Sequence, residues 1–297
     1  DMSIDITPHI SVVLPTFNRE KILNQTIKNI VTQSFQEFEL IVIDDCSTDQ
    51  TQYVVDKWIE QDKRIKYFCT PQNIGCAKSR EFGLNRCACS IITFIDDDDE
   101  WAQDKLMKQY NALIHTNNDM IISDYHIKEG NKFIYKNMEA FSINFQYEIL
   151  KRPGPFFQSM MIKKEFLDKI KNMRIGQNIF DHSAIPSEDW DFFINLSKYS
   201  PVVGYIAEPL FTWHIHSFNQ SLNLLKEAKA LHYIVEKHYP YIKKVHGSYI
   251  TSLHFRRIAR LYEKIYDEHN TEQKISQFYI KAFKENSLSI KNIFYLI

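Results

Sequence analysis

The sequence predicts an α/β fold: a mainly parallel sheet with helices packed on it. Three observations carry that expectation. Four short runs rich in Val and Ile, at 10–14, 40–43, 65–69 and 91–95, read as strands buried on both faces. Between them, 22–32 and 51–61 repeat apolar residues at helical spacing, and 75–84 reads as a third helix. Strand, helix and strand at this rhythm imply parallel pairing with right-handed crossovers.

Each element has its own justification. The first helix carries the stripe Ile22, Leu23, Ile27, Ile30 and Val31, and the second Val54, Val55, Trp58 and Ile59. Ser47-Thr48-Asp49 supplies side-chain acceptors just before the second helix. After the fourth strand, a helix is expected over 101–116 and a strand near 120–123. The stretch 128–155 reads as strand and loop, 156–162 as a strand and 163–171 as a helix. Ser187-Glu188-Asp189 is a helix-start pattern, continued by Trp190, Phe193, Ile194 and Leu196 to about 199. Residues 201–216 read as extended, and the chain beyond 222 as helical with breaks near Pro240 and Asn270. The expected organisation is one α/β domain over 1–221 and a helical extension over 222–297.

Composition narrows the class. The 297 residues are 44% hydrophobic with 7 Gly and 9 Pro, which excludes disordered and collagen-like material. Five Cys form no even framework, and the Cys87/Cys89 pair is too isolated for zinc, so free thiols are expected. The net charge of −1 conceals an asymmetry: 13 Lys and Arg against 7 Asp and Glu from 222 onward, and 23 against 30 before it. A basic tail on an acidic body suits an anionic surface or partner, or simply a solvated helical face. No charged start with an apolar h-region occupies residues 1–10, and no apolar stretch approaches the ~20 residues of a membrane span. The expectation is a cytoplasmic protein, at most peripheral to the inner face of the membrane, with no nucleic-acid partner.

Ligands of open parallel sheets bind beyond the carboxyl ends of the strands. Those ends carry Pro15-Thr16-Phe17-Asn18-Arg19, Asp44-Asp45 and Asp96-Asp97-Asp98-Asp99-Glu100. Four consecutive carboxylates repel one another, and a divalent cation with oxygen ligands, Mg²⁺ or Mn²⁺, relieves the repulsion. A solvated acidic loop is the alternative. The first of these segments has no Gly, which argues against a Gly-rich phosphate loop and hence against a nucleotidyltransferase.

The segments 10–19, 38–51 and 92–101, with Asn73-Ile-Gly-Cys-Ala-Lys-Ser-Arg80 between the last two, resemble the inverting glycosyltransferases of family 2, which have the GT-A fold. The match is dense over about 10–110 and thinner to about 221. The resemblance implies a Mn²⁺- or Mg²⁺-dependent transfer from a UDP-sugar to a bacterial surface glycan acceptor. It places Pro15, Phe17 and Arg19 around the nucleotide, with Phe17 stacking on the base, and Asp45 on the uracil N3–H. Arg80 is then on the nucleotide side, Asp96 and Asp97 serve the ribose and the surroundings of the cation, and Asp98 binds the cation directly. One departure is Glu81, where family members commonly have Asn.

An inverting displacement needs one carboxylate to take the acceptor's proton. The resemblance assigns that role to Asp189 of the Glu188-Asp189 pair; a helix cap or a surface charge pair is the alternative. In Trp213-His214-Ile215-His216, alternation puts both His on one face of a strand. The family pattern favours His216, with Ser221 following, as a residue that approaches the cation; His214 is the second choice. Aromatic stretches at 141–147 and 156–158 are either an acceptor platform or core. In the tail, Arg256, Arg257, Arg260 and Lys264 alternate with Ile258, Leu261 and Ile265. That pattern fits a membrane-surface helix, a dimer interface or packing on the catalytic domain. A non-catalytic sugar-nucleotide-binding module is the competing reading of the whole chain.

Overall fold

A computed structural model describes residues 8–173, 178–215, 223–265 and 272–287. Strands β1 (Ile10–Thr16), β2 (Phe38–Asp44) and β3 (Ile65–Cys69) alternate with helices α1 (Leu23–Val31), α2 (Thr51–Gln61) and α3 (Cys76–Leu84), leading to β4 (Ile91–Phe94). All pair in parallel in the order β3-β2-β1-β4. Every residue of β1 and β2 is buried, as the unbroken apolar runs require of strands covered on both faces. Helix α1 buries Leu23, Ile27 and Ile30 of the stripe read from the sequence, together with Thr26, while Val31 is half-buried and Ile22, just before the helix, is exposed. Helix α3 sits so close that a Cβ on Gly83 would lie 2.6 Å from Val13 Cγ1. The N-cap of α2 is Gln50, which has no side-chain cap; of the polar triplet before it, Asp49 Oδ1 accepts the Thr51 N–H at 3.0 Å and so serves one free amide of the first turn.

The sheet continues through β8 (Met160–Lys163), β6 (Met120–Glu129), β9 (Val203–Ile215) and β5 (Glu100–Trp101), with β7 (Lys132–Lys136) paired to β6. This half is mixed: β6 and β9 are parallel, while β4–β8, β6–β8, β5–β9 and β6–β7 are antiparallel.

Several expectations are corrected here. The helix expected from 101 begins only at Lys105 (α4, Lys105–Ile114), because Glu100 and Trp101 are drawn into pairing with Thr212 and Phe211. The stretch after β7 holds two short helices, α5 (Glu139–Ile143) and α6 (Phe145–Lys151). Their few turns leave too short a periodic stripe to read, although Asn144 caps α6 by accepting the Tyr147 N–H. Residues 157–159 form a 3₁₀ turn before β8, and α7 (Lys164–Met173) follows.

Helix α8 (Glu188–Ser197) is buried along most of its length. Helix α9 (Leu224–Glu263) runs through Pro240 and bends instead at Gly247, which has φ 67°. Pro240 and Glu236, whose carbonyl it leaves without an amide partner, both lie on the exposed face, where water can serve that carbonyl. The expected break near Asn270 lies outside the described residues; α10 (Glu272–Glu285) packs back on α9.

Ile258 and Ile265 of the tail are buried and Leu261 is half-buried, so these apolar positions are used in packing. Arg256 is buried too, while Arg260 and Lys264 face solvent. The seam between α8 and α9 is ionic: Asp191, fully buried, takes His238 Nε2 at 2.7 Å and Lys237 Nζ at 2.9 Å. Burial pushes the Asp191 carboxyl up, but His238 and Lys237 outweigh it and hold the group below the ordinary carboxylate range. That stabilisation is present above the unfolded carboxyl pKa and disappears as the pH falls through the lower folded value. Asp191→Ala is therefore expected to cost about 3 kcal/mol near neutrality, with the deficit shrinking in acid, as read from melting temperature against pH.

Candidate active site

The carboxyl ends of β1, β2 and β4 bring three of the motifs together. At the end of β1, Thr16 Oγ1 donates to Asp97 Oδ2 at 2.8 Å, and Thr26 Oγ1 of α1 donates to the Asp97 carbonyl at 2.7 Å. Arg19 follows, its Nε 3.3 Å from Asp97 Oδ1 and its terminal nitrogen 3.8 Å from Asp98 Oδ2. Phe17 is 42% exposed, while Pro15 is buried within β1.

The acidic run is largely withdrawn from water. Burial, reinforced by the charge of Asp98, raises the Asp97 carboxyl to about 7. Asp99 is raised for the same two reasons, well above the ordinary range. Its Oδ1 accepts the His214 N–H at 3.2 Å, and Gln158 Nε2 donates both to Asp99 Oδ2 at 2.7 Å and to Asp96 Oδ2 at 2.5 Å. Four carboxylates met by Arg19 at Asp97 and Asp98 and by Arg80 at Asp96 still outnumber their cations, and they present the oxygen donor set of a Mg²⁺ or Mn²⁺ site. Among the described residues no group of three or more acidic, His or Cys side chains forms a ready cage.

Asp45 is engaged by the segment that leads into α3. Its Oδ1 accepts from Ile74 N at 2.8 Å and Thr70 Oγ1 at 3.1 Å, and its Oδ2 from Gly75 N at 2.7 Å. The carboxylate thus fixes the turn before α3, where Gly75 adopts φ 84°, and keeps room for one further donor among its roughly four acceptor sites.

Arg80 joins the two halves of the crevice. It is buried on α3, donating through one terminal nitrogen to Glu188 Oε1 at 2.6 Å and through the other to Asp96 Oδ1 at 2.5 Å. Its guanidinium lies 4.7 Å from the Phe157 ring. The end of β4 and the start of α8 are thereby tied through a single side chain. Glu81 beside it accepts the N–H groups of Ile179 and Phe180 at 2.9 and 3.3 Å, pinning the segment that leads into α8. The residue that departs from the family pattern therefore has a positioning role.

Asp189 stands in the first turn of α8. Burial raises its carboxyl to about 8, helped by the charge of Glu188. Its Oδ1 accepts its neighbour's N–H, from Trp190, at 2.7 Å. Ser187 does not cap α8 with its side chain; the hydroxyl donates instead to Glu227 of α9 at 3.0 Å. Tyr125 of β6 is near enough for the Asp189 charge to add to the burial that raises its phenol.

His214 is placed on β9 with Nε2 3.4 Å from Glu100 Oε2. His216 and Ser221 lie outside the described residues. Of the aromatic stretches, Phe141, Phe145 and Phe157 are core residues, which removes them from an acceptor platform. Half-buried Phe156 and Trp213 do meet, 5.2 Å apart, beside Tyr125 and Phe211. Gln158 has no signature in the sequence: it reaches the acidic run from some sixty positions away.

Comparison with known proteins bears on the family and the fold. The Glycosyl transferase family 2 model matches residues 11–177. An uncharacterized glycosyltransferase of Haemophilus influenzae is 30% identical over 239 residues, covering 74% of this chain and 92% of that protein. The GalNAc(5)-diNAcBac-PP-undecaprenol beta-1,3-glucosyltransferase of Campylobacter jejuni is 36% identical over 188 residues, 60% of this chain and 58% of that protein. The crystal structure of Staphylococcus aureus TarS in complex with UDP-GlcNAc superimposes with a TM-score of 0.70 at 18% identity, over 93% of this chain and 81% of that one. With the parallel β3-β2-β1-β4 half-sheet and the acidic run at its carboxyl edge, these matches identify the chain as a member of glycosyltransferase family 2 with a GT-A fold.

Proposed function

We propose that the chain transfers a hexose or N-acetylhexosamine from a UDP-sugar to a glycan acceptor, with inversion to a β linkage and Asp189 as base. The catalytic unit is residues 1–221, and residues 222–297 form a helical unit. The observation that carries this reading is the Arg80 bridge, which holds the acidic run and the Glu188-Asp189 turn in one crevice. The Campylobacter relative, by its name a beta-1,3-glucosyltransferase acting on GalNAc(5)-diNAcBac-PP-undecaprenol, supports a lipid-linked surface glycan as acceptor. UDP-GlcNAc on TarS supports a uridine donor.

Each residue then has a task. Phe17 offers an exposed ring face to the base, Asp45 its remaining acceptor site to the uracil N3–H, and Arg19 a positive charge to the diphosphate. Asp98, with Asp96 and Asp97 beside it, would hold a Mn²⁺ or Mg²⁺ ion, which when bound neutralises charge on the departing nucleoside diphosphate. Asp189, oriented through Oδ1, receives the acceptor hydroxyl proton as that oxygen bonds to the anomeric carbon. The bond from that carbon to the diphosphate breaks, and its electron pair leaves with UDP.

Incubating the protein with a panel of UDP-sugars and lipid-linked glycan acceptors, and reading the product's anomeric configuration by NMR, tests the proposal. A β product from an α-linked donor is expected. An α product would rule out a single displacement at Asp189.

A further inference from the structure

The hairpin of β6 and β7 is exposed in a way the rest of the surface is not. A two-residue turn, Gly130-Asn131, joins the strands, and Gly130 has φ 57°, as tight hairpins require. Strand β7 pairs with β6 and with no other strand among the described residues, so it is an edge. It shows solvent three consecutive large side chains: Phe133 is 59% exposed, Ile134 44% and Tyr135 49%. Elsewhere among the described residues, no two exposed large apolar side chains are consecutive in sequence. A bare apolar run on an edge strand is a liability unless something covers it.

Charge indicates what covers it. Lys132 and Lys136 bracket the run, and Lys128 stands opposite Phe133, with Nζ 5.4 Å from its ring. None of the three lysines makes an ion pair among the described residues. Phe133 and Tyr135 share one face with His126 and Lys128, while Ile134 shares the other with Lys132 and Lys136. A second copy pairing along β7 would bring lysines against lysines, which disfavours self-association. Aromatic and aliphatic tips among cations match the interface of an anionic bilayer instead.

We propose that the β6–β7 hairpin docks this protein on an anionic lipid surface, with Phe133 and Ile134 entering the headgroup region and Lys128, Lys132 and Lys136 meeting lipid phosphates. The root of the hairpin is fixed: Asp124 holds Tyr205 at 2.8 Å and also the Tyr135 hydroxyl. Tyr125, next along β6, lies within electrostatic reach of Asp189. Docking by the tip would bring the crevice close to the membrane, where a lipid-linked acceptor presents its sugar.

The test is co-sedimentation of the full chain with vesicles of phosphatidylcholine, with and without phosphatidylglycerol, in the absence of donor and acceptor. Failure of the transferase reading therefore leaves this result untouched. The chain is expected to bind the anionic vesicles selectively and to be released by salt. Lys128→Gln/Lys132→Gln/Lys136→Gln should weaken binding about 100-fold at low ionic strength, each lysine contributing roughly 5-fold. Phe133→Ser/Ile134→Ser should weaken it at least ~10-fold. Melting temperatures equal to that of the parent establish that the variants fold. In the basic tail, Arg260→Gln/Lys264→Gln should bind like the parent. The proposal is overturned by equal binding to neutral vesicles, by hairpin variants that bind normally, or by a tail variant that alone abolishes binding. It is equally overturned if sizing shows a hairpin-dependent dimer and no vesicle binding occurs.

Discussion

Asp189→Asn is expected to reduce transfer by roughly 10²–10⁴-fold, the usual contribution of a general base, while leaving UDP affinity near that of the parent. The same substitution should make the metal-free protein more stable. Burial raises the Asp189 carboxyl to about 8 in the folded chain, so between the unfolded value near 4 and about 8 the native state holds the extra proton. Stability is then lost as the pH rises through that window. Asparagine removes this penalty and still accepts the Trp190 N–H through its amide oxygen. A gain of ~1–3 kcal/mol near neutrality, vanishing in acid, is the expected result of thermal melts in EDTA. Activity has the opposite slope, because the base works only when ionised. The kcat/KM for acceptor should fall with unit slope on the acid side of a pKa at or below about 8. Near-normal turnover by Asp189→Asn would remove it from the chemistry.

Replacing Arg80 by Met should have the largest effect on the fold of the site. The guanidinium is buried between Asp96 and Glu188, and without it the buried Glu188 carboxylate is left uncompensated, while Asp96, a third exposed, keeps Gln158 and water. Breaking a buried pair in this way costs about 3–5 kcal/mol. Transfer should be lost as well, because the start of α8 is no longer tied to the acidic run. Whether Arg80 acts by positioning or only by neutralising charge is separable. Arg80→Met/Glu188→Gln removes the orphaned charge on α8 and should recover part of the stability without recovering transfer. Recovery of both would show that the bridge matters for charge alone.

Much of this site was legible because its residues follow buried strands. Asp45 and the Asp96–Asp99 run occupy the positions where β2 and β4 surface, so periodicity alone located them at one edge of the sheet. The Glu188-Asp189 pair was recognisable as a helix start, but nothing local says that α8 faces the acidic run. That is decided by Arg80, whose two partners are 16 and 108 positions away. Gln158 and Tyr125 were hidden for the same reason: they reach the site through the mixed half of the sheet, whose strand order departs from sequence order. In the tail, Pro240 was a misleading signal and Gly247 an overlooked one. A Pro on an exposed face leaves its orphan carbonyl to water, whereas a positive φ must bend the helix.

The central claim is that the acidic run holds a cation-bound nucleotide sugar within reach of Asp189. The most direct test is UDP release from a UDP-sugar with a lipid-linked glycan acceptor, measured with Mn²⁺, with EDTA, and with Asp98→Ala in Mn²⁺. Release that requires both Mn²⁺ and Asp98 is expected. Release that continues unchanged in EDTA, or in Asp98→Ala, would contradict the claim.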